Sequence, residues 1–182
     1  MYKPLIFLAG SLLLILFSRA SLLKPRSHGF YRFFAWEAIL ALALLNLDCW
    51  FCNPLAWYRL VSWLLLALSL LLVVHGARLL REMGKPDERR KDEALIGFEK
   101  TTRLVTAGAY RYIRHPLYSS LLFLAWGVFF KDPSWVGGLL AATASLFLTL
   151  TARVEEEENI RFFGPAYEEY RRRSKMFIPY IF

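Results

Sequence analysis

Cysteine is nearly absent from this chain, with two copies, Cys49 and Cys52, in 182 residues. That excludes a small disulfide-stapled fold and a cysteine-rich metal cluster. The two form a Cys-x-x-Cys, but they stand just before Asn53-Pro54, where a helix stops. Redox motifs of this form activate a thiol at a helix start instead. The pair reads as two small packing residues, or as an incidental disulfide on an oxidising face. Histidine is almost as scarce, at three copies, and no metal site is expected. Runs that alternate as strands, internal repeats and low-complexity tracts are missing too.

The most informative absence is charge within long stretches. Hydrophobic residues make up 57% of the chain and fall in unbroken runs, which a soluble core does not need. Crossing the hydrocarbon layer takes roughly 20 mostly apolar residues per helix. Pro4 to Leu23, Phe33 to Cys52, Trp57 to Leu80 and Trp135 to Ala152 qualify, and Leu117 to Phe130 does if its helix begins near Arg114. The expectation is an all-α, polytopic membrane helix bundle of about five transmembrane helices. Residues 1–80 supply three of them, and residues 81–182 supply a cytoplasmic loop, a helix hairpin and a tail. Lys3 ahead of a run ending in Ser18-Arg19-Ala20 resembles a cleaved signal peptide. The run is too long for a typical signal core, so it reads as a membrane helix.

The net charge of +8 does not imply nucleic acid, because the basic residues are placed by side. Arg19, Lys24, Arg26 and Arg32 flank the first loop, a second group lies between Arg78 and Arg114, and a third between Arg153 and Lys175. Only Lys3, Arg59 and Lys131 fall on the other side of an alternating topology. The positive-inside bias then puts the N-terminus outside and the C-terminal region in the cytoplasm, with membrane lipids as the surroundings.

Ionisable residues in or near spans are costly and face partners or a wet cavity. Glu37, His75 and Arg78, near cytoplasmic helix ends, are candidates for a substrate site, and Asp48 on the outer side is a weaker one. Residues 81 to 93 are a mixed-charge linker, expected as a flexible cytoplasmic loop. Gly97 to Gly108 is too polar to span and too apolar to float freely, so it is expected to pack on the cytoplasmic mouth of the bundle.

Chemistry concentrates in two clusters. Leu104 to Tyr118 contains Gly108, Tyr110, Arg111, Tyr112, Arg114, His115, Pro116 and Tyr118. Arg153 is followed by Glu155, Glu156, Glu157 and Glu158, then by Phe163-Gly164 and by Tyr167 to Tyr170. The short turn Lys131-Asp132-Pro133-Ser134 makes the last two spans an antiparallel hairpin, so both clusters emerge on one face. Pro116 suits the first turn of a helix, which puts Arg114 and His115 at a helix mouth suited to an anionic group. Arginine can clamp a carboxylate, glutamate can accept from an ammonium, and aromatic faces can receive a sulfonium. The set suits a ligand carrying a carboxylate, an ammonium and an apolar or aromatic body.

The pattern Gly-x-Tyr-x-x-x-Arg-His-Pro-x-Tyr from Gly108 to Tyr118, then Arg-x-Glu-Glu, then Phe-Gly-x-x-Tyr-x-x-Tyr, resembles the isoprenylcysteine carboxyl methyltransferase family and its relatives, the phospholipid methyltransferases. It covers roughly residues 95 to 182. The resemblance implies an S-adenosylmethionine-dependent methyltransferase at the membrane surface, with a lipophilic small-molecule or lipid-modified acceptor arriving from the bilayer. His115 and Tyr118 would then line the cofactor pocket, with Gly108, Tyr110 and Pro116 beside them, and Arg114 would order it. Glu155 and Glu156 would hold the methionine ammonium, Arg153 would orient a carboxylate, and Phe163-Gly164 and Tyr167 to Tyr170 would close the pocket. Arg153, Glu156 and His115 are the catalytic candidates. The family commonly has glycine where Ser120 stands, and a hydroxyl there is expected to narrow helix approach or cofactor access. Glu157 and Glu158 are expected in solvent.

Two other readings compete. Sterol and steroid reductases share an Arg-His-Pro-like segment and an apolar tail resembling Phe177 to Phe182, and would use a nicotinamide cofactor. A membrane scaffold that has lost activity is the third reading, and Ser120 is the feature most compatible with it. The methyl acceptor, whether carboxylate, thiolate or amine, and the oligomeric state are not legible.

Overall fold

A computed structural model describes residues 2–85 and 99–181. The described residues form six α-helices: α1 (Tyr2–Leu22), α2 (His28–Leu45), α3 (Trp57–Met83), α4 (Pro116–Phe129), α5 (Trp135–Phe163) and α6 (Pro165–Arg173). Short 3₁₀ turns lie at Leu47–Cys49 and Gly108–Arg111. The expected linker falls, from residue 86 onward, outside the described residues, as do Gly97 and Phe98.

Three helices, α1, α3 and α5, are long and apolar enough to cross a membrane. The two other expected spans are shorter than the sequence suggests. The helix expected to run to Cys52 stops at Leu45. Asn46 ends it, donating its backbone N–H to Leu42 O and its side-chain Nδ2 to Val128 O at 2.8 Å. Helix α4 begins at Pro116, not Arg114, because Arg114 and His115 give their backbone N–H groups to the tail. Its 14 residues rise about 21 Å, short of the ~30 Å hydrocarbon thickness. Helix α5, with 29 residues, rises about 43 Å, so its acidic last turns extend past any such layer.

Helix α2 packs mainly on α5, α3 on α4, and α1 leans on α2. Between them lies a core of Ala38, Ile39, Leu42, Ala125, Val128, Ala141 and Ala144. Lipid tails are as apolar as leucine, so helices in a membrane gain from close approach, which small residues permit. At Gly127 an added Cβ would lie 3.0 Å from the Leu66 side chain, and the Ser62 hydroxyl donates to Gly127 O at 2.6 Å. Leu5, Leu8, Leu12 and Leu13 on α1, and Leu64, Leu70, Leu71 and Val74 on α3, are exposed, as lipid-facing residues would be.

The turn predicted at Lys131 to Ser134 is present, and Ser134 Oγ caps α5 by accepting from Gly137 N. Polar residues gather at the two ends of the bundle. At one end Lys3 pairs with Asp48 at 2.8 Å, and the buried Lys131 ammonium sits 3.0 Å from the centre of the Trp63 ring. This accounts for Asp48. Glu37 accepts from Ser11 Oγ at 2.7 Å through Oε2, while its Oε1 is buried without a hydrogen-bond partner among the described residues. Arg78 makes an exposed pair with Glu82 one turn on. The opposite end holds both clusters singled out in the sequence.

Candidate active site

Pro116 occupies the first turn of α4, where its missing N–H costs nothing. The chain before it is fixed by the tail, which runs beside it in a short parallel bridge between Ile113 and Lys175. Lys175 N donates to Tyr112 O at 2.9 Å, Arg114 N to Lys175 O at 2.7 Å and His115 N to Met176 O at 3.2 Å. Ser119 Oγ adds a bond to Phe177 O at 2.8 Å, and Phe177 is fully buried. The tail is therefore a structural wall of the site.

The α4–α5 hairpin brings the two sequence clusters into direct contact. Arg114 Nε donates to Glu156 Oε1 at 2.6 Å, and His115 Nε2 lies 3.3 Å from the same oxygen. The Arg114 Nη1 group donates to the carbonyls of Arg171 and Ser174 at the end of α6. The His115 ring stacks on Tyr118, with centroids 5.5 Å apart. Glu155, one residue from Glu156, instead faces a cavity that Tyr118 also lines.

That cavity, about 70 Å³, is walled by Glu99, Tyr110, Arg114, His115, Tyr118, Glu155, Asn159, Phe163, Tyr167 and Tyr170 on its polar and aromatic side. Leu80, Leu104, Val105 and Leu117 form an apolar side. Its lining, apolar and aromatic with a few convergent polar groups, is that of a small-molecule site. Burial pushes the Tyr110 and Tyr167 phenols well above their ordinary range, and the Glu155 charge pushes both further. Burial also raises Tyr170, against the pull of the Arg114 cation. All three are neutral donors, and Tyr170 donates to Tyr110 O at 2.6 Å, tying α6 to the 3₁₀ turn.

Gly108 opens that turn with φ +57°, and a Cβ there would lie 2.7 Å from both His75 Nε2 and Leu79 Cδ1. Only glycine fits both the conformation and the space. His75 thus supports the turn from behind. Gly164, between α5 and α6, has φ +61° and sets the corner that folds Tyr167 and Tyr170 back over the cavity.

Of the residues expected at the site, Tyr110, Arg114, His115, Tyr118, Glu155 and Tyr167 line the cavity. Gly108 and Pro116 shape its backbone, and Glu156 braces Arg114 and His115. Arg153 is exposed on α5 and is not part of the lining. Ser120 is buried in α4 with its Oγ bonded to Leu117 O at 2.6 Å, so the hydroxyl stays within its own helix. Glu158 is not left to solvent as expected. It pairs with the fully buried His28 at the start of α2, accepting from both the ring Nδ1 and the backbone N–H.

Two contributors were not legible as site residues. Arg32 on α2, 4% exposed, makes an ion pair with Glu99 at 2.9 Å, and Glu99 lines the cavity. The hint in the sequence was a lone arginine inside an otherwise apolar helix, which had seemed a flanking charge. Segment 99–105 is also held by Thr102 N and Arg103 N, both donating to Gly84 O at 3.0 Å. It packs on the mouth of the bundle as expected, and Thr101, Leu104 and Val105 join the cavity wall.

The family model described as phospholipid methyltransferase matches residues 57–166, which run from α3 to the start of α6. The chain is similar to methanethiol S-methyltransferase 1 of Bradyrhizobium diazoefficiens, 32% identical over 47% of this chain and 30% of that protein. It is similar to a probable protein-S-isoprenylcysteine O-methyltransferase of Oryza sativa subsp. indica, 36% identical over 47% of this chain and 46% of that protein. It is also similar to the protein-S-isoprenylcysteine O-methyltransferase of Xenopus laevis, 30% identical over 66% of this chain and 42% of that protein. The matches span less than half the length of these curated relatives. No solved structure matches.

Proposed function

The chain belongs to the phospholipid methyltransferase family, and from that premise we propose that it is an integral membrane, S-adenosylmethionine-dependent methyltransferase acting on a lipophilic acceptor. One observation carries the proposal: a single cavity, lined mostly by family-matched residues, gathers carboxylates, a guanidinium, phenols and an apolar wall. Those linings fit the parts of the cofactor. Glu155 suits its ammonium, Arg114 supplies positive charge for its carboxylate with the His115 ring beside it, and Phe163, Tyr167 and Tyr118 offer aromatic faces to the adenine and the sulfonium. When bound, S-adenosylmethionine supplies an electrophilic methyl group, so the acceptor–carbon bond forms as the sulfonium–carbon bond breaks.

What remains for the protein is alignment and exclusion of water. Glu156 fixes Arg114 and His115 at one end, and the tail fixes their backbone. Tyr110, Tyr167 and Tyr170 stay protonated and close the polar side. The apolar wall of Leu80, Leu104, Val105 and Leu117 admits an acyl, prenyl or other lipophilic acceptor from the bilayer side. A carboxylate or thiolate acceptor needs no base, whereas an amine gives up a proton, which Glu155 can accept. Arg153, exposed on α5, has no place in this assignment.

In this reading α2 and α4 complete a five-span bundle together with the three longer helices, with the N-terminus outside and the site in the cytoplasm. The distribution of basic residues supports that orientation. Nothing among the relatives found favours a nicotinamide reductase, since they are named as methyltransferases. The test is calorimetry of the purified protein with S-adenosylhomocysteine and with NADPH, followed by transfer of labelled methyl to a membrane lipid extract. Binding of S-adenosylhomocysteine, weakened in Glu155→Gln and His115→Ala, is the expected result. Binding of NADPH alone, or cofactor affinity unchanged in both variants, would overturn the assignment.

A further inference from the structure

The end of α6 and the tail carry a charged surface that the cavity does not use. Arg171, Arg172 and Arg173 follow one another, with Lys175 two residues on, and all are exposed. Arg173 is 3.5 Å from Glu169, while Arg171, Arg172 and Lys175 have no acidic partner among the described residues. Together with Ser174, Met176 and Ile181 they edge a second cleft, whose floor reaches Arg114. Next to these cations stand exposed apolar groups. Tyr112 and Tyr180 are in ring contact at 6.2 Å and are 46% and 82% exposed, and Ile181 is 76% exposed. On its other side α6 buries Tyr167 and Tyr170 against the site, so the basic face points outward.

Cations beside exposed aromatics are the composition of a membrane interface. The position agrees, because α6 follows directly from α5, one of the three helices able to cross the bilayer. We propose that this surface is a contact for anionic phospholipid headgroups, and that headgroups held there tighten the Arg114–Glu156 corner of the cavity. Arg114 makes the link physically. One guanidinium binds Glu156 through Nε and the carbonyls of Arg171 and Ser174 through Nη1. A headgroup that fixes the end of α6 therefore fixes the cation at the cavity wall. The second half of the proposal rests on the cofactor reading above, and the first half does not.

The test uses the full chain and a variant, Arg171→Gln/Arg172→Gln/Lys175→Gln, that leaves the Arg173–Glu169 pair intact. Native mass spectrometry in an equimolar mixture of phosphatidylglycerol and phosphatidylcholine reads lipid retention. The wild type should prefer phosphatidylglycerol, and the preference should fall about fivefold for each cation removed. An equal preference in variant and wild type overturns the contact. Should the variant fail to fold, salt added to the wild type serves instead: screening should erase the preference, and a salt-insensitive preference overturns the contact.

In nanodiscs, the wild type should bind S-adenosylhomocysteine several-fold more tightly with phosphatidylglycerol than with phosphatidylcholine alone, and the variant should not distinguish the two. Equal wild-type affinity overturns the coupling, as does the same tightening by inorganic phosphate, which would mark a free-anion site. No binding in either nanodisc overturns the cofactor reading and, with it, the coupling. The retention result then decides the headgroup contact by itself.

Discussion

Arg114 and Glu156 form a buried ion pair, with Nε 2.6 Å from Oε1 and side chains only 9% and 7% exposed. The pair spans the gap between the start of α4 and the last turns of α5, and it leaves Glu155, not Glu156, facing the cavity from α5. Two carboxylates adjacent in sequence are therefore placed differently: Glu156 braces, and Glu155 lines the cavity, where the proposed function has it bind.

Removing the brace should cost stability. In Glu156→Ala the Arg114 cation is left buried without its counter-charge, a loss of about 3 kcal/mol. Thermal denaturation in detergent should show a clear fall in Tm. The double variant Arg114→Ala/Glu156→Ala should be less damaged than the sum of the single variants.

Glu155→Gln should behave oppositely. Its Tm stays near that of the wild type because the amide keeps the side chain's shape and no salt bridge to Glu155 among the described residues is lost. Affinity for S-adenosylhomocysteine falls about tenfold or more, the value of a hydrogen bond to a charged group. Calorimetry separates this from the behaviour of Glu156.

The two left-handed glycines make a paired prediction. At Gly164 an added methyl meets nothing within 4 Å, so Gly164→Ala costs only backbone strain, about 1–3 kcal/mol. Gly108→Ala carries the same strain and also strikes His75 and Leu79. It should show the larger fall in Tm and the larger loss of cofactor affinity. A second-site His75→Ala should recover part of it.

Arg32→Met should loosen segment 99–105, because Glu99 loses the buried cation that holds it. Amide exchange in that segment should rise while α4 and α5 stay protected. By contrast, Arg153→Gln, at an exposed position, should change stability by less than about 0.5 kcal/mol.

What the sequence disclosed and what it hid follow one physical division. Apolar run length, Pro116 at a helix start and a four-residue turn are local features, and they located the hairpin and both clusters. Helix α2 was read too long because Asn46 looks like any polar residue until Val128 O, 82 positions away, takes its hydrogen bond. The register of the acidic run was half legible. Glu155 lines the cavity and Glu156 sits behind it on Arg114, whereas Glu158 reads as solvated in the sequence because its partner, His28, lies 130 positions earlier. Arg32 and Glu99, 67 positions apart, were hidden for the same reason. Helical periodicity specifies which residues share a face and says nothing of what meets that face.

The bridge between Ile113 and Lys175 has a consequence for biosynthesis. A nascent chain in which α1 to α5 have formed, but which has not yet extruded Lys175 to Phe177, lacks the segment that pins Arg114 and His115. Helix assembly and completion of the cavity wall are thus separate events, and a product shortened by those few residues would keep its helices yet leave Arg114 and His115 without their backbone partners.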